Sequence, residues 1–517
     1  MRKSRGVVAA GHKETAKSAE IILREGGNAF DAVVAAHFAA CVVEPVLSSL
    51  GGGSFLLAGT SGGQQTLYDF FVQTPKHKRS QSVTDFYPIS ADFGTVQQEF
   101  HIGLGSIATP GVVKGLFTVH DELCSMPMSR LVEPAIKLAR DGVEINPFQA
   151  YIFDVVHPIY ESSRQTLKNY SADGVTDRLA AEGEVLKQPE LADLFEVLSQ
   201  EGEALFYQGE IANQMVRQCR ESGGHLTKTD LASYQVIKRN PLSVCYRNTK
   251  VLTNPPPSSG GLLMAFALKL LEDLELEQYG FGSARHLDGL AAVLGMTNKA
   301  RIEAQLDDTE HRPNERLLSS SCLADYKQQI KGRPFCSRGT THLSIMDREG
   351  NIAALTTTNG EGCGHLISGT GVMLNNMLGE EDLNPHGFFL WPQDCRMTSM
   401  VAPSILLLPG DKQIALGSGG SNRLRTAILQ VLINRLDFGM NLEQAINSPR
   451  LHYENDRLSI ENGFDPVEIE QLLKHYPDHR LWPDRNLFFG GVHSVERNSD
   501  EFIGIGDPRR GGVSLVV

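Results

Sequence analysis

The spacing of hydrophobic residues divides this chain into a helix-rich first part and a strand-rich second part. Residues 14–24 carry apolar side chains at helical spacing, and residues 29–43, rich in alanine and valine, are apolar on almost every side. A helix that is apolar all round is buried between layers. Beyond residue 340 the apolar runs are short, and residues 341–346 and 352–358 flank the turn Asp-Arg-Glu-Gly-Asn, which predicts a hairpin.

The same patterns predict the remaining elements. Further helices are expected at residues 111–124, 131–140, within 173–220, and at 262–274, 286–305, 422–436, 442–447 and 466–474. Further strands are expected directly after the glycines 51–53 and at 67–72, 251–254, 366–374, 404–408 and 413–416. Residues 75–103 are expected to form a loop and residues 317–335 a polar linker. This mixture predicts an α+β fold of layered sheets covered by helices.

Composition excludes one broad class of function. The chain has 517 residues, of which 41% are hydrophobic and 21% charged, as in ordinary globular proteins. This length allows about two to four domains, or one large layered domain. The formal net charge of -13 argues against a nucleic-acid-binding surface, because such surfaces carry basic patches.

Cysteine and histidine usage gives no sign of a metal site. The eight cysteines are scattered without a CxxC pair, and the histidines show no metal-ligand spacing, so we expect no metal and no cofactor. Free thiols fit a reducing compartment. The basic N-terminal residues are not followed by an apolar segment, and residues 29–43 are too short to span a bilayer. We therefore expect a cytoplasmic protein without a signal peptide or a membrane contact.

The first candidate for chemistry is Thr340, which follows Gly339 at the start of a predicted strand. A threonine hydroxyl is a poor nucleophile unless a base lies beside it. Cleavage of the chain before Thr340 would expose its own α-amino group, with a pKa of about 8, as that base. A structural interpretation is equally simple, since β-branched residues favour strands and Thr-Thr pairs are common where strands begin.

Three further stretches allow both a chemical and a structural interpretation. The glycine-rich residues 417–421 precede a helix and form either an anion or oxyanion site or a turn capped by Ser421, and they lack the lysine of a nucleotide-binding P-loop. Thr398 and Ser399 either bind a buried carboxylate or cap a turn. The acidic residues 380–382 either bind a substrate ammonium group or form a solvated loop.

Taken together, motifs along nearly the whole chain resemble those of the γ-glutamyltransferase (γ-glutamyl transpeptidase) family. This family consists of N-terminal nucleophile (Ntn) hydrolases that cleave themselves before a threonine. The matching motifs lie, in chain order, at residues 25–32, 50–53, 109–111, 255–261, 340–342, 374–376, 398–400 and 419–421. Their number and order identify the chain as a member of this family.

The resemblance implies a fold, a processing event and a reaction. The expected fold is a four-layer αββα sandwich of Ntn-hydrolase type. Autocleavage between Gly339 and Thr340 would give a large chain (1–339) and a small chain (340–517), which together form one catalytic domain as a heterodimer, alone or within a higher oligomer. The expected reaction takes the γ-glutamyl group from amides such as glutathione and its conjugates, through an acyl-enzyme, to water, an amino acid or a peptide.

The resemblance also implies roles for individual residues. Thr340 is the expected nucleophile, Thr358 on the partner strand supports it, and the amides of Gly419 and Gly420 form the expected oxyanion hole. The expected ligands of the γ-glutamyl group are Thr398 and Ser399 for its α-carboxylate, Glu380 or Glu381 for its α-amino group, and Asn359, which aligns only roughly.

The chain departs from the family where an arginine normally binds the α-carboxylate. The family sequence Asp-Phe-Arg-Glu is here Asp-Phe-Phe-Val, with Phe71 in place of the arginine. Loss of a charge-assisted bidentate contact weakens binding of a γ-glutamyl group by about 2 kcal/mol, unless another cation such as Arg396 replaces it. Met377 stands where the family often has glutamine. The short segment between Asn384 and Arg396 predicts that the lid of some relatives is absent.

Two alternatives to a γ-glutamyl enzyme stay open. The first is an Ntn amide acylase for other N-acyl groups, of the glutaryl-acylase or cephalosporin-acylase kind, which Phe71 and Met377 favour. The second is a homologue that does not process itself and acts as a binding protein.

Overall fold

The structure is a computed structural model that describes most of the chain. The described residues are 4–92, 97–175, 177–303, 317–319, 322–323, 340–384, 387–420, 422–454, 456–499 and 501–517. Gly339, Ser421 and most of the predicted linker at 317–335 lie outside them.

Sixteen α-helices are found in the part of the chain that the structure describes. In chain order they are α1 (Lys13–Arg24), α2 (Ala29–Val43), α3 (Val112–Leu123), α4 (Met128–Asp141), α5 (Pro147–Tyr160), α6 (Arg164–Asn169), α7 (Pro189–Glu201), α8 (Ala204–Tyr207), α9 (Glu210–Ser222), α10 (Lys228–Ser233), α11 (Ser259–Leu271), α12 (Leu276–Tyr279), α13 (Ala284–Glu303), α14 (Asn422–Leu436), α15 (Leu442–Asn447) and α16 (Pro466–Leu473). Short 3₁₀ turns lie at Gln81–Val83, Leu104–Ser106, Met377–Gly379, Glu381–Leu383, Leu487–Phe489 and Pro508–Arg510.

The same described residues contain twenty β-strands. In chain order they are β1 (Gly6–Ala10), β2 (Gly53–Gly59), β3 (Gln65–Phe70), β4 (Tyr87–Asp92), β5 (Gln97–Ile102), β6 (Val143–Glu144), β7 (Val185–Leu186), β8 (Ile237–Arg239), β9 (Leu242–Tyr246), β10 (Thr249–Thr253), β11 (Thr341–Asp347), β12 (Ile352–Thr358), β13 (Ser404–Leu407), β14 (Gln413–Gly419), β15 (Leu451–Glu454), β16 (Arg457–Glu461), β17 (His479–Trp482), β18 (Gly491–Asn498), β19 (Glu501–Ile505) and β20 (Val513–Val516).

Two large antiparallel sheets contain most of these strands. The seven-stranded sheet has the order β20-β1-β11-β12-β2-β3-β8, and the six-stranded sheet has the order β19-β18-β14-β13-β10-β9. Smaller sheets join β4 to β5, β6 to β7, and β15 to β16 and β17, where β17 runs parallel to β16. The predicted α+β class and the predicted hairpin of β11 and β12 are confirmed.

The seven-stranded sheet is buried on both faces. Val7 and Ala9 of β1 belong to the core that includes the apolar side chains of β13, β14 and β18, whereas Val8 and Ala10 belong to the core under α1 and α2. This division follows because successive side chains of a strand point to opposite faces. Strands β11 and β12 contact β14 of the other sheet, and α14 packs on β14 and β18.

Helix α2 shows why its sequence is apolar on every side. All of its residues are buried, as the pattern predicts. Its charged residue, Asp31, forms a capping box with Asn28 and also accepts hydrogen bonds from Ser125 and from the amide of Met126. The one acidic group in this helix therefore fixes its first turn to the loop after α3.

Two expectations from the sequence are wrong. Residues 75–103, expected to be a loop, contain the hairpin of β4 and β5, whose polar strand sequence hides the alternation. Residues 366–374, expected to be a strand, form only isolated bridges: Leu374 is bridged to Gly51, and Leu366 and Met373 are bridged to each other. Gly369 and Gly371 have φ angles of 73° and 68°, so the chain turns between Leu366 and Met373.

Within the described residues, no helix combines the length and apolar character needed to cross a membrane. The cytoplasmic location expected from the sequence is a separate prediction, which this observation does not test.

Replacement of Phe38 by alanine is expected to lower the free energy of unfolding by about 3–5 kcal/mol, because it leaves a cavity in the core around α2. The Phe38 ring is buried and packs edge-to-face on Phe195, with ring centroids 5.1 Å apart. Urea denaturation measures the change. The exposed Val467→Ala is the control and is expected to stay within about 0.5 kcal/mol; equal effects of the two variants would contradict this packing.

Candidate active site

Thr340 lies where the chain joins the middle of the seven-stranded sheet. It immediately precedes β11, which runs between β1 and β12, and it is only 4% exposed. Thr341 pairs with Thr357 of β12, so the antiparallel register brings Thr358 beside Thr340. The hairpin predicted from the sequence thus brings the expected nucleophile and its expected supporting residue together.

Both threonines line the same pocket. Its wall is mostly apolar, with two carboxylates and three hydroxyl groups. The lining residues are Phe71, Thr340, Thr358, Met377, Glu380, Asp382, Leu383, Ser399, Met400, Val401 and Leu424. No arginine or lysine is among these described lining residues.

Strand β14 approaches Thr340 so closely that only glycine fits. A Cβ atom at Gly419 would overlap the carbonyl oxygen of Thr340, and one at Gly417 would overlap the ring of His342. Gly420 has a φ of 121°, a backbone conformation that favours glycine, and α14 begins two residues later. Close contacts with the carbonyl of Thr340 and with the ring of His342 therefore explain why this segment is rich in glycine.

The motif at residues 255–261 holds the segment that contains Thr398 and Ser399. The carbonyl oxygen of Ser399 accepts hydrogen bonds from Ser258 Oγ (2.8 Å) and from the amides of Ser259 (3.0 Å) and Gly260 (3.1 Å). Ser399 lines the pocket. Thr398 is buried beside it, and its hydroxyl has no hydrogen-bond partner among the described residues.

The loop after β12 brings Asn359 and Glu380 to the same region. Gly360 has a φ of 64° and packs directly on the carboxylate of Glu380, while its amide donates to Thr358 Oγ1 (3.0 Å). The Oδ1 atom of Asn359 is buried without a hydrogen-bond partner in the described part of the chain. Glu380 lines the pocket, whereas Glu381 is exposed and does not.

Phe71 is part of the pocket wall, but Arg396 is not. The ring of Phe71 stacks on Phe55, with centroids 5.1 Å apart. Behind it, Nη1 of Arg396 donates to the carbonyl of Phe71 (2.7 Å), to Asp69 Oδ1 (3.1 Å) and to the hydroxyl of Tyr234 (2.7 Å). Arg396 thus holds the backbone of Phe71 in place. The guanidinium of Arg396 does not line the pocket.

His342 is close to Thr340 in sequence, but its ring is buried and held by hydrogen bonds to neighbouring hydroxyl groups. Its Nδ1 lies 2.7 Å from Thr356 Oγ1 and its Nε2 lies 2.9 Å from Ser344 Oγ. Burial holds the pKa of His342 well below its ordinary value, so the ring stays neutral. Within the described residues, no group of three or more His, Cys, Asp or Glu side chains is arranged to hold a metal ion.

A buried carboxylate lies on the other side of β11. Glu44 accepts hydrogen bonds from Thr341 Oγ1 (2.8 Å) and Thr15 Oγ1 (2.9 Å). Burial raises its pKa to about 7, although the two hydroxyl donors act against this rise. Glu44 therefore ties the residue after Thr340 to α1 and to the end of α2.

Sequence reasoning did not single out three of the lining residues: Leu383, Val401 and Leu424. Val401 and Leu424 follow the recognised motifs at 398–400 and 419–421 within three residues, and that proximity is the signal that would have found them. Asp382 belongs to the acidic run 380–382, but the 3₁₀ turn Glu381–Leu383 decides which member faces inward.

Comparison with known sequences matches this chain to one protein family and to two kinds of similar enzyme. The profile described as Gamma-glutamyltranspeptidase matches residues 15–517. A glutathione hydrolase proenzyme of Escherichia coli is 31% identical over 558 residues, covering 98% of this chain and 91% of the relative. An acylase ACY 1 proenzyme of Pseudomonas sp. (strain V22) is 26% identical over 521 residues, covering 96% of this chain and 90% of the relative.

Solved structures agree with this fold. A cephalosporin acylase from Bacillus halodurans matches with a TM-score of 0.85 at 22% identity, covering 99% of this chain and 96% of that chain. A γ-glutamyltranspeptidase from Helicobacter pylori matches with a TM-score of 0.55 at 26% identity, covering 62% of this chain and 90% of that chain. The chain therefore has the fold shared by Ntn-hydrolase acylases and γ-glutamyltranspeptidases.

Replacement of Glu44 by glutamine is expected to change stability in a pH-dependent way. A carboxyl group with a raised folded-state pKa stabilises fully below its unfolded pKa, and this contribution is lost as pH rises through the folded value. For Glu44 the window runs from 4.5 to about 7. Across it, the wild type should lose about 3 kcal/mol of unfolding free energy relative to Glu44→Gln.

Urea denaturation at several pH values measures this difference. Glu443→Gln, at an exposed position, reports the effect of removing a surface charge alone. A wild-type-to-Glu44→Gln difference that stays constant between pH 4.5 and about pH 8 would show that Glu44 is not perturbed in this way.

Proposed function

Because this chain belongs to the Gamma-glutamyltranspeptidase family and is an enzyme of that type, we propose that it cleaves itself between Gly339 and Thr340 and uses Thr340 as an N-terminal nucleophile. One observation carries the proposal: Thr340 stands at the start of a central strand, lines a pocket with Thr358, and meets the backbone of Gly419. An N-terminal threonine nucleophile uses its own α-amino group as the base. A nearby hydroxyl supports the nucleophile, and nearby backbone N–H groups stabilise the oxyanion.

The proposed reaction proceeds through an acyl-enzyme. The α-amino group of Thr340 takes the proton of its own hydroxyl while Oγ1 attacks the carbonyl carbon of the substrate amide. The amides of Gly419 and Gly420 stabilise the oxyanion. The C–N bond then breaks, the leaving amine takes the proton, and an ester to Thr340 Oγ1 remains. Water or an acceptor amine attacks this ester and releases the free acid or a new amide.

Processing at this position would leave two chains joined in one sheet. Strands β1, β2, β3 and β8 precede residue 340, whereas β11, β12 and β20 follow it, and all seven belong to the same sheet. We therefore propose that chains 1–339 and 340–517 form one catalytic domain as a heterodimer with αββα layering. The packing of α1 and α2 on one sheet and of α14 on the other supports this layering.

The proposed substrates are γ-glutamyl amides such as glutathione. The relatives named glutathione hydrolase support this choice. The site also offers groups for an amino-acid head group: Glu380 and Asp382 in the pocket wall suit an ammonium group. Buried polar atoms are normally hydrogen-bonded. Asn359 Oδ1 and Thr398 Oγ1 lack a partner among the described residues, and each residue is next in sequence to a lining residue, Thr358 and Ser399 respectively.

A second candidate is an amide acylase for acyl groups that lack the α-amino group. Phe71 favours it, because this aromatic side chain lines the pocket where the family resemblance implies an arginine, and Arg396 does not replace that arginine. A γ-glutamyl anilide and a glutaryl anilide differ only in the α-amino group. The ratio of their kcat/KM values on processed protein therefore separates the two candidates.

Replacement of Thr340 by alanine is expected to abolish both processing and turnover, because the attacking hydroxyl is removed. On a denaturing gel the wild type should resolve into two bands, and Thr340→Ala into one. Thr340→Ser keeps the hydroxyl and is the matched control, which should still yield two bands. A wild type that stays full-length on incubation would instead favour a binding protein, and cleavage of Thr340→Ala would place the nucleophile elsewhere.

Activity is expected to fall on the acid side of about pH 8, because protonation of the Thr340 α-amino group removes the base. The base must be neutral to accept the hydroxyl proton, so activity rises as pH increases through this pKa. A pH profile of kcat/KM for an anilide substrate measures the effect. A flat profile between about pH 6 and pH 9 would exclude the α-amine as the base.

A further inference from the structure

Arg425 places a buried positive charge directly behind the pocket wall. It is 3% exposed and follows Leu424, a lining residue, in the first turn of α14. Its Nη1 lies 3.5 Å from the Sδ atom of Met400, another lining residue, and its Nη2 donates to Asn298 Oδ1. Arg425 thus contacts the thioether of a residue that lines the pocket.

The described surroundings of Arg425 do not neutralise it at close range. Its recorded partners are an amide oxygen and a sulfur atom, which is a weak acceptor. Nearby carboxylates are engaged with other groups: Asp382 pairs with Arg301 (3.7 Å) and Glu454 pairs with His452 (3.0 Å). No carboxylate of the described residues lies within ion-pair distance of Arg425.

Two further observations show that this charge is costly for the free protein. Burial lowers the pKa of Arg425 to about 10, with Glu454 and Asp382 acting against the shift and Arg301 adding to it. The first turn of α14 contains no acidic residue, and a cation there is opposed by the helix dipole. A buried cation that lacks a counter-ion at contact distance suits an anionic ligand.

We propose that Arg425 binds the carboxylate at the far end of the substrate's acyl group, after that group displaces the side chain of Met400. This inference rests on the proposed function, because it assigns the specificity of the same pocket. Methionine is flexible and yields readily to a ligand, and a guanidinium binds a carboxylate through two parallel hydrogen bonds. Arg425 then takes over the task that Phe71 cannot perform and for which Arg396 is not available.

The preferred substrates are therefore amides whose acyl group ends in a carboxylate, in the manner of glutaryl and γ-glutamyl groups. An acyl group of the same length that ends in a methyl group offers no carboxylate to Arg425, which then keeps its contact with the thioether of Met400. Such a neutral group gains nothing from the buried charge, so the enzyme discriminates between the two at this end of the pocket.

The test compares glutaryl and pentanoyl anilides on processed wild type, Arg425→Met, Arg425→Lys and Arg435→Met. Arg435 lies on the same helix and pairs with Glu496 (2.8 Å), so its variant is a matched control for loss of a partly buried arginine.

Wild type and Arg435→Met should prefer the glutaryl anilide. In Arg425→Met, kcat/KM for the glutaryl anilide should fall by about 100-fold and that for the pentanoyl anilide by less than about three-fold. Arg425→Lys should lie between.

A preference that survives in Arg425→Met, or equal losses on both anilides, would overturn the proposal, since a merely structural arginine affects both substrates alike. Binding of free glutarate, measured as a thermal shift against neutral glutaramide, gives a readout without turnover. Glutarate should stabilise the wild type more than Arg425→Lys. If no anilide is turned over but this difference holds, the proposed reaction fails while Arg425 still binds the carboxylate; if the difference is absent, Arg425 does not bind it.

Discussion

The structure depends on one backbone contact between its two sheets. The carbonyl of Thr340, the residue before β11 of one sheet, lies against the Cα atom of Gly419 in the other sheet, with no room for a side chain between them. Gly417 repeats this arrangement against the ring of His342 two residues further along. Any larger residue at these positions would push β14 away from β11. The contact therefore sets where the start of β11 lies relative to the beginning of α14.

Around this contact, buried polar groups fix the walls of the pocket. Ser258 and the amides after it hold the carbonyl of Ser399, and Glu44 holds the hydroxyl of Thr341 from the opposite layer. Arg396 shows the same principle, because its guanidinium is bonded to Asp69 and to the backbone of Phe71. These charged groups and hydroxyls hold the pocket walls in place but do not line the pocket. The reaction depends on the few polar side chains that line it.

Much of this architecture could be predicted from the sequence, because it depends on local pattern. The apolar helix α2 and the hairpin of β11 and β12 were predicted from spacing, and the family motifs brought together Thr340, Thr358, Ser399 and Glu380. Which arginine lies near the pocket, given that Phe71 replaces the arginine of the family, could not be predicted in this way. Whether Arg396 points into the pocket or behind it depends on Asp69 and Tyr234, which are far away in sequence. The position of Arg425 likewise depends on how α14 packs against Asn298 of α13.

The most direct test of the account is the mass of the small chain after reaction with substrate. Processed protein is mixed with a glutaryl or γ-glutamyl anilide, quenched in acid within the first turnovers, and analysed by mass spectrometry. The account predicts a chain that begins at Thr340, carries one acyl group, and retains that group on its N-terminal peptide as an ester. A small chain that begins at another residue, or an acyl group that maps to a different side chain, would contradict it.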